Sequence, residues 1–355
     1  MSSGPRAPGS AASPGFRRAC VTAGLVALLA AGCLTLPSPD PADTARTPES
    51  LGIRLEIRGA RLGADPVNVV VRREPAMLPF CLRPFGEAVP IVRVRVNGHT
   101  VLALVDTGST ATLMDSAGAA RVGVPALRST APADGGLLRL PSQGLGARFN
   151  AWLGIAPEVR AGGVTVTNLV VGILDPKTDL GARGWMAGHR VEMLLGADFL
   201  RLCGRAVWDV AGDRIALAPP ASILPEGGAA LDPAYVVPVC RVRVGDDREV
   251  PAGIDSGGAF GFWVPGPLFR GAKLPQPGPE GRIVLSEGMG GRVVSTTAGE
   301  VDLRIGAARI GGVPMLMGAT GHGHAHLPYA LLGRAALAGR IVSFDFDRGI
   351  VHVSP

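Results

Sequence analysis

Two short segments of this 355-residue chain set a carboxylate where an apolar run breaks into glycine: Leu104-Val105-Asp106-Thr107-Gly108-Ser109 and Gly253-Ile254-Asp255-Ser256-Gly257-Gly258. If folding brings Asp106 and Asp255 together, the two cannot both ionise at low cost, so one holds a proton while the other is free to accept one. Such a pair serves as general acid and general base at once. The two titrate as a unit, and the residues alone do not say which is acid and which base. Other chemistries are poorly served. No Gly-x-Ser-x-Gly elbow is present for a Ser-His-Asp hydrolase. His322, His324 and His326 alternate as a strand-borne metal site would, but no Asp, Glu or Cys lies within their run. That run reads as a solvated glycine-rich loop, and no metal is assigned. Cys81, Cys203 and Cys240 are too far apart in sequence for a zinc knuckle.

The elements that position the two carboxylates repeat. Arg93-Val94-Arg95-Val96 and Arg241-Val242-Arg243-Val244 both alternate polar and apolar residues, the period of a half-buried strand. Asn97-Gly98 turns the first strand back as a two-residue hairpin, and Gly245-Asp246-Asp247 turns the second more loosely. Each return strand ends in its Asp turn. Further β-rich runs follow at 163–171 and 310–317, and each half closes alike. Leu194-Leu195-Gly196 with Asp209 and a last strand at 214–217 is answered by Leu331-Leu332-Gly333 with Asp345 and a last strand at 350–353. Frequent Gly and Pro and few long helical periods predict all-β lobes, with short helices at most, as over Asp115 to Val122. The division falls in the proline-rich stretch from Pro219 to Pro233, giving an N-terminal lobe over 51–220 and a C-terminal lobe over 221–355. Residues 51–88 have no second-half counterpart and read as added strands on the first lobe.

A hydrophobic-Asp-Thr/Ser-Gly turn followed by hydrophobic-hydrophobic-Gly, twice in order over residues 88–355, resembles the aspartic proteases. Each half is similar to a retropepsin-like unit, and two in one chain are similar to pepsin. The resemblance implies a bilobal β-barrel fold and an endopeptidase that hydrolyses peptide bonds with a water held between Asp106 and Asp255. Thr107, Gly108, Ser109, Ser256, Gly257 and Gly258 would support the dyad. In the family the Thr107 and Ser256 hydroxyls would bond across to the opposite turn, and Gly196 and Gly333 would sit beneath the Asp loops. Hairpin flaps that cover substrate are assigned to Gly144-Leu145-Gly146 and Gly288-Met289-Gly290, neither of which contains Tyr. The implied partner is an extended polypeptide pairing with flap strands, with no cofactor. Two Asp turns in one chain make a second copy unnecessary, so a monomer is expected. The alternative is a catalytically silent envelope protein of the same fold that binds peptides or proteins.

The N-terminus reads as an address. Arg17 and Arg18 precede the apolar run Val21 to Ala31, which ends in small residues before Cys33. The run is shorter than the ~20 apolar residues of a membrane span. It resembles a bacterial lipoprotein signal over 1–33 with Cys33 as the lipidation site, although Ala30 stands where that family usually has Leu. An ordinary cleaved signal and a retained anchor are the other readings. All three export the chain, and Leu34 favours the outer membrane by resemblance. Residues 34–50, rich in Pro, Asp, Thr and Ser, read as a tether. The formal charge of +6 is halved if Arg6, Arg17 and Arg18 leave with the leader, and only two Tyr and four Trp are present. No basic run interleaved with aromatics supports a nucleic-acid groove. With 47% hydrophobic and 18% charged residues, the chain can form a buried core. An oxidising compartment permits one disulfide among Cys81, Cys203 and Cys240, with the pair unassigned.

Overall fold

The structure, a computed structural model, describes residues 55–57, 64–66, 69–81, 89–128, 136–143, 148–175, 190–225, 228–246, 248–272, 274, 277–278, 280–288, 291–318 and 327–354. The chain divides into Met1–Pro37 and Ser38–Pro355, and every described residue belongs to the second unit. Cys33 and the rest of 1–50, Gly144, Leu145, Gly146, Met289, Gly290 and the histidines at 322, 324 and 326 lie outside the described residues.

Leu55–Ile57 (β1) and Ala64–Pro66 (β2) pair as an antiparallel ribbon. After Val70–Arg73 (β3) and Ala76–Pro79 (β4), Ile91–Val96 (β5) and His99–Val105 (β6) form a hairpin. Asn97 and Gly98 turn it with φ of 50° and 81°. Two consecutive left-handed residues give the turn twist that matches flanking strands. Leu113–Met114 (β7), Arg139–Gln143 (β8), Arg148–Ala161 (β9), Val164–Leu174 (β10) and Met193–Leu195 (β11) complete an eight-stranded sheet. Within it β5, β6, β11, β7, β10 and β9 close into a ring, because β9 pairs with both β10 and β5. A closed ring has no open edge. The strand β6 runs parallel to β11, and β7 runs antiparallel to β11. Leu104-Val105 and Leu194-Leu195 thereby lie side by side and buried, which is why both read as continuous apolar runs.

Arg205–Asp209 (β12), Arg214–Leu217 (β13) and Ala229–Ala230 (β14) intervene before a second ring. Its strands are Val239–Val244 (β15), Arg248–Ile254 (β16), Phe262–Val264 (β17), Ile283–Gly288 (β18), Gly291–Ile305 (β19), Ala308–Gly318 (β20) and Ala330–Leu332 (β21). Here β15, β16, β21, β17, β20 and β19 close in the same order, with β18 on the outside as β8 is in the first. The burial patterns of β5 and β15 are identical residue for residue, as are those of β6 and β16. The arginines of the repeated Arg-Val-Arg-Val face solvent and the valines face the core.

Ile341–Asp345 (β22) and Ile350–Val353 (β23) join a third, six-stranded sheet in the order β14, β23, β22, β12, β13, β4. The antiparallel pairing of β12 with β22 couples strands that follow the first and the second closing glycine. Within 51–88, β3 joins the first ring through β10, whereas β4 joins this shared sheet through β13. One core cluster runs through both rings and the shared sheet, with Trp208, Phe199, Phe262, Phe269 and Phe344 fully buried. Among the described residues, three six-residue α-helices interrupt the β structure: Ser116–Arg121 (α1), Ala197–Leu202 (α2) and Gly266–Gly271 (α3). Helix α1 is capped by Asp115, whose carboxylate accepts the Gly118 N–H, and ends at Val122. The fold is all-β.

Cys81, Cys203 and Cys240 are separate thiols. Burial pushes Cys203 and Cys240 up to about 12, so both stay protonated and unreactive at neutral pH.

Candidate active site

Each Asp stands one residue beyond the last parallel pair of its ring, Val105 with Leu195 and Ile254 with Leu332. The Asp106 N–H donates to Leu195 O and the Asp255 N–H to Leu332 O, both at 2.9 Å. Beyond that point neither chain can continue its ladder, because Gly196 and Gly333 turn away. A Cβ on Gly196 would lie 2.5 Å from the Ala111 carbonyl, and one on Gly333 2.4 Å from Phe260 O. The residue after each glycine then ties back to the Asp loop. The Ala197 N–H donates to Ser109 O and the Arg334 N–H to Gly258 O, each at 2.8 Å.

The two loops meet and interlock. The Thr107 N–H donates to Ser256 Oγ at 3.0 Å and the Ser256 N–H to Thr107 Oγ1 at 2.9 Å. Each hydroxyl passes its own proton to the opposite strand, Thr107 to Ile254 O at 2.6 Å and Ser256 to Val105 O at 2.7 Å. Both side chains are buried, 1% and 2% exposed, so every one of these groups would otherwise be an unsatisfied polar atom costing ~1–3 kcal/mol. The reciprocal pattern holds the backbone of one loop to that of the other, and with it the carboxyls that follow.

Asp106 and Asp255 lie face to face and share a hydrogen bond. Within its own loop, Asp106 Oδ1 accepts the Gly108 N–H and Asp255 Oδ1 accepts the Gly258 N–H, both at 2.9 Å. Gly108 and Gly257 leave room for this approach. A Cβ on Gly108 would lie 2.6 Å from the Asp255 carboxyl carbon, and one on Gly257 2.7 Å from that of Asp106. Burial raises both carboxyls above the ordinary aspartate range, and the neighbouring Asp255 charge raises Asp106 further, well above it. On Asp255 burial is opposed by the bond from Asp106, by the Gly258 and Gly257 N–H groups and by the charge of Arg334. The pair thus retains a proton where isolated aspartates have lost theirs.

Of the remaining residues singled out from sequence, Ser109 gives its backbone N–H to the Asp106 carboxyl, which lowers that carboxyl's pKa, while its side chain supports its own loop. Its hydroxyl donates to Ala111 O at 2.9 Å. The described strands on either side of both glycine clusters assigned as flaps pair antiparallel. The last pair before the first cluster is Gln143 with Arg148, and Gly288 pairs with Gly291 at the second. Among the described residues no three His, Cys, Asp or Glu side chains gather as a metal site.

Four residues escaped the sequence reading. Asp198, half-buried two residues after Gly196, accepts the Thr112 N–H at 2.9 Å and the Thr112 hydroxyl at 2.8 Å, tying α2 to the Asp106 loop. Gly261 stands at the corresponding place in the second loop, where its carbonyl accepts the Gly333 N–H at 2.9 Å. Tyr329 packs edge-on to Tyr235 with ring centroids 5.0 Å apart and lies against Gly253. Burial and the nearby Asp255 charge push its phenol up to about 12, so it is neutral. Arg334 is buried at 9% exposure directly after Gly333. The signal for Arg334 was present: lining up the two closing segments sets it against Ala197, a change from an apolar residue to a cation at one equivalent position.

Residues 92–199 match a family model described as aspartyl protease. The matched segment runs from β5 through Asp106 and Gly196 into α2, and is aspartyl-protease-like. No curated protein matches the chain.

Proposed function

We propose that the protein is an aspartic-type endopeptidase whose two lobes, residues 51–220 and 221–355, each supply one carboxyl of the dyad. The observation that carries this reading is the face-to-face approach of Asp106 and Asp255, held by the reciprocal Thr107 and Ser256 bonds. The family match over the first Asp loop supports it.

The chemistry follows from the pair. A water between the carboxyls gives a proton to the ionised member as its oxygen attacks the scissile carbonyl carbon. The protonated member hydrogen-bonds the carbonyl oxygen as charge develops there. The tetrahedral intermediate collapses when the amide nitrogen takes a proton from the dyad, the C–N bond breaks and the amine leaves. One water is consumed and the dyad regains its single proton. Interlocked loops keep both carboxyls in place through these transfers, so little reorganisation is needed at the moment of reaction. The hairpins β8–β9 and β18–β19 are the proposed flaps, closing over an extended polypeptide whose backbone pairs with their strands. Export and attachment to the outer membrane through a lipidated Cys33 are part of the same proposal, with the chain acting as a monomer.

The test is cleavage of a denatured protein substrate across acidic to neutral pH, with and without a peptide carrying a non-cleavable hydroxyl-bearing transition-state mimic. Expected is cleavage that the mimic suppresses and that Asp106→Asn and Asp255→Asn each abolish. Turnover surviving either substitution would refute the dyad, and absence of cleavage by folded protein at every pH would refute the peptidase reading.

A further inference from the structure

The two hairpins leave their rings at equivalent rungs, and those rungs are built differently. Among the described residues, Ala151 with Leu174 is the last pair of β9 on β10, and Ser295 with Gly318 is the last pair of β19 on β20. From there toward its glycine cluster each strand pairs, among the described residues, only with its own hairpin partner, β8 or β18, so these rungs are the hinges of the hairpins. The strand that leaves each Asp loop runs beside the hinge. On it Leu113 pairs with Leu194 in the first ring, and Trp263 pairs with Leu331 in the second. In the first ring Leu113, Ala151 and Leu174 are buried in one apolar cluster. In the second ring the same three places hold Trp263, Ser295 and Gly318. The Trp263 indole N–H donates to Ser295 Oγ at 3.0 Å, with the two residues 3% and 1% exposed. The indole reaches the hydroxyl because Gly318 has no side chain: a Cβ there would lie 2.3 Å from Trp263 Cζ2. Indole, hydroxyl and glycine together make one buried hydrogen bond that the first ring has no groups to form.

We infer that Trp263 is a positioning residue that pins the root of the second hairpin to the strand leaving the Asp255 loop, so that β18–β19 is the fixed flap while β8–β9 hinges on apolar contact alone. The bond sits on the hinge itself, where any swing of the hairpin must break it, and a buried hydrogen bond is costly to break. Apolar contact at the first hinge is non-directional and fixes no angle. The frame that holds Trp263 is also the one that holds the carboxyl. Its strand, β17, lies between β20 and β21, and Leu332 at the end of β21 accepts the Asp255 N–H. Hairpin and carboxyl are therefore set from one set of strands. A polypeptide laid along β18 meets a strand whose position relative to Asp255 is already decided, and less of its binding energy is lost in ordering the hairpin. This consequence for substrate rests on the peptidase reading, whereas the pinning itself does not.

The test is amide hydrogen exchange of the whole protein, read at β8 and β18, in wild type, Trp263→Phe, Ser295→Ala and the double variant. Trp263→Phe keeps an aromatic ring without the N–H, and Ser295→Ala installs the residue found at the first hinge. Expected is slower exchange at β18 than at β8 in wild type. Either single change should lower protection at β18 by about two- to tenfold, the worth of one net hydrogen bond, and leave β8 unchanged. The double variant should lose no more than either single one, because both remove the same bond. If cleavage is observed, KM for a peptide spanning a cleaved site should rise about fivefold in both single variants with kcat unchanged, a split that a general loss of stability would not produce. Ser295→Ala carries the comparison alone if Trp263→Phe does not fold. Exchange at β18 unchanged by Ser295→Ala, or losses that add in the double variant, would overturn the pin. Lost protection with KM unchanged in an active enzyme would overturn the positioning role. The expected exchange pattern in a protein that cleaves nothing would uphold the pin and sink the peptidase reading alone.

Discussion

At the scale of single residues the site spends stability on function. Asp106 and Asp255 both hold protons more tightly in the folded chain than in the unfolded one, because burial disfavours their charge. For such a group the folded state is penalised as pH rises through the ordinary aspartate value of 3.8, where the unfolded chain ionises freely and the native pair does not. Asp106→Asn removes one of the two carboxyls from this enclosure. Urea denaturation of the variant should therefore show a higher midpoint than wild type at neutral pH, with the advantage vanishing below about pH 3.8. An equal midpoint at both pH values would mean that the pair carries no such strain. The identity of these residues was legible in the sequence, because a carboxylate at the abrupt end of an apolar strand recurs twice with its hydroxyl and glycine neighbours. Tyr329, whose phenol the Asp255 charge raises, was not, since the two meet only through a fold that brings the closing segment beside the Asp loop.

At the scale of elements, the strand-to-loop transition is the working part. The parallel pairing of β6 with β11 and of β16 with β21 aims each Asp, and the glycines after the Asp residues admit the opposite carboxyl. Gly257→Ala would set a methyl 2.7 Å from the Asp106 carboxyl carbon, with no room in the interlocked loop to retreat. We expect it to cut peptide cleavage by at least ~10²-fold, the scale of a 1 Å misplacement at a reacting centre, while the far-UV CD spectrum stays that of wild type. Near-normal cleavage by a folded Gly257→Ala protein would show that the loops give way more easily than their four cross-bonds imply. Elements of this kind were readable in advance where one face is buried. The Arg-Val-Arg-Val strands announce their in–out alternation, and Asn97-Gly98 announces its turn. The strand β4 was not placed by its residues, because Ala76–Pro79 has no alternation that distinguishes an outer strand of the first ring from a strand of the shared sheet.

At the scale of the whole molecule, the shared sheet makes the two rings one cooperative body. β12 and β22 pair along five residues, and Trp208 and Phe344 bury fully in a core that is continuous across both rings. Trp208→Ala should cost ~3–5 kcal/mol, the usual range for emptying a buried aromatic site. Because the core is continuous, the loss should appear as one transition at lower denaturant, coincident by CD and by the fluorescence of the remaining tryptophans. Two separated transitions would show instead that the rings unfold independently. The sequence by itself determined the all-β character, the repeated strand, turn and closing units, and the two carboxylates, because each of these is a local pattern: a period of two, a turn pair, a strand cut short by glycine. Only the tertiary structure decided that β12 pairs with β22 and that β4 joins the shared sheet through β13. Those relations join segments more than a hundred residues apart, and no local preference encodes a partner that distant.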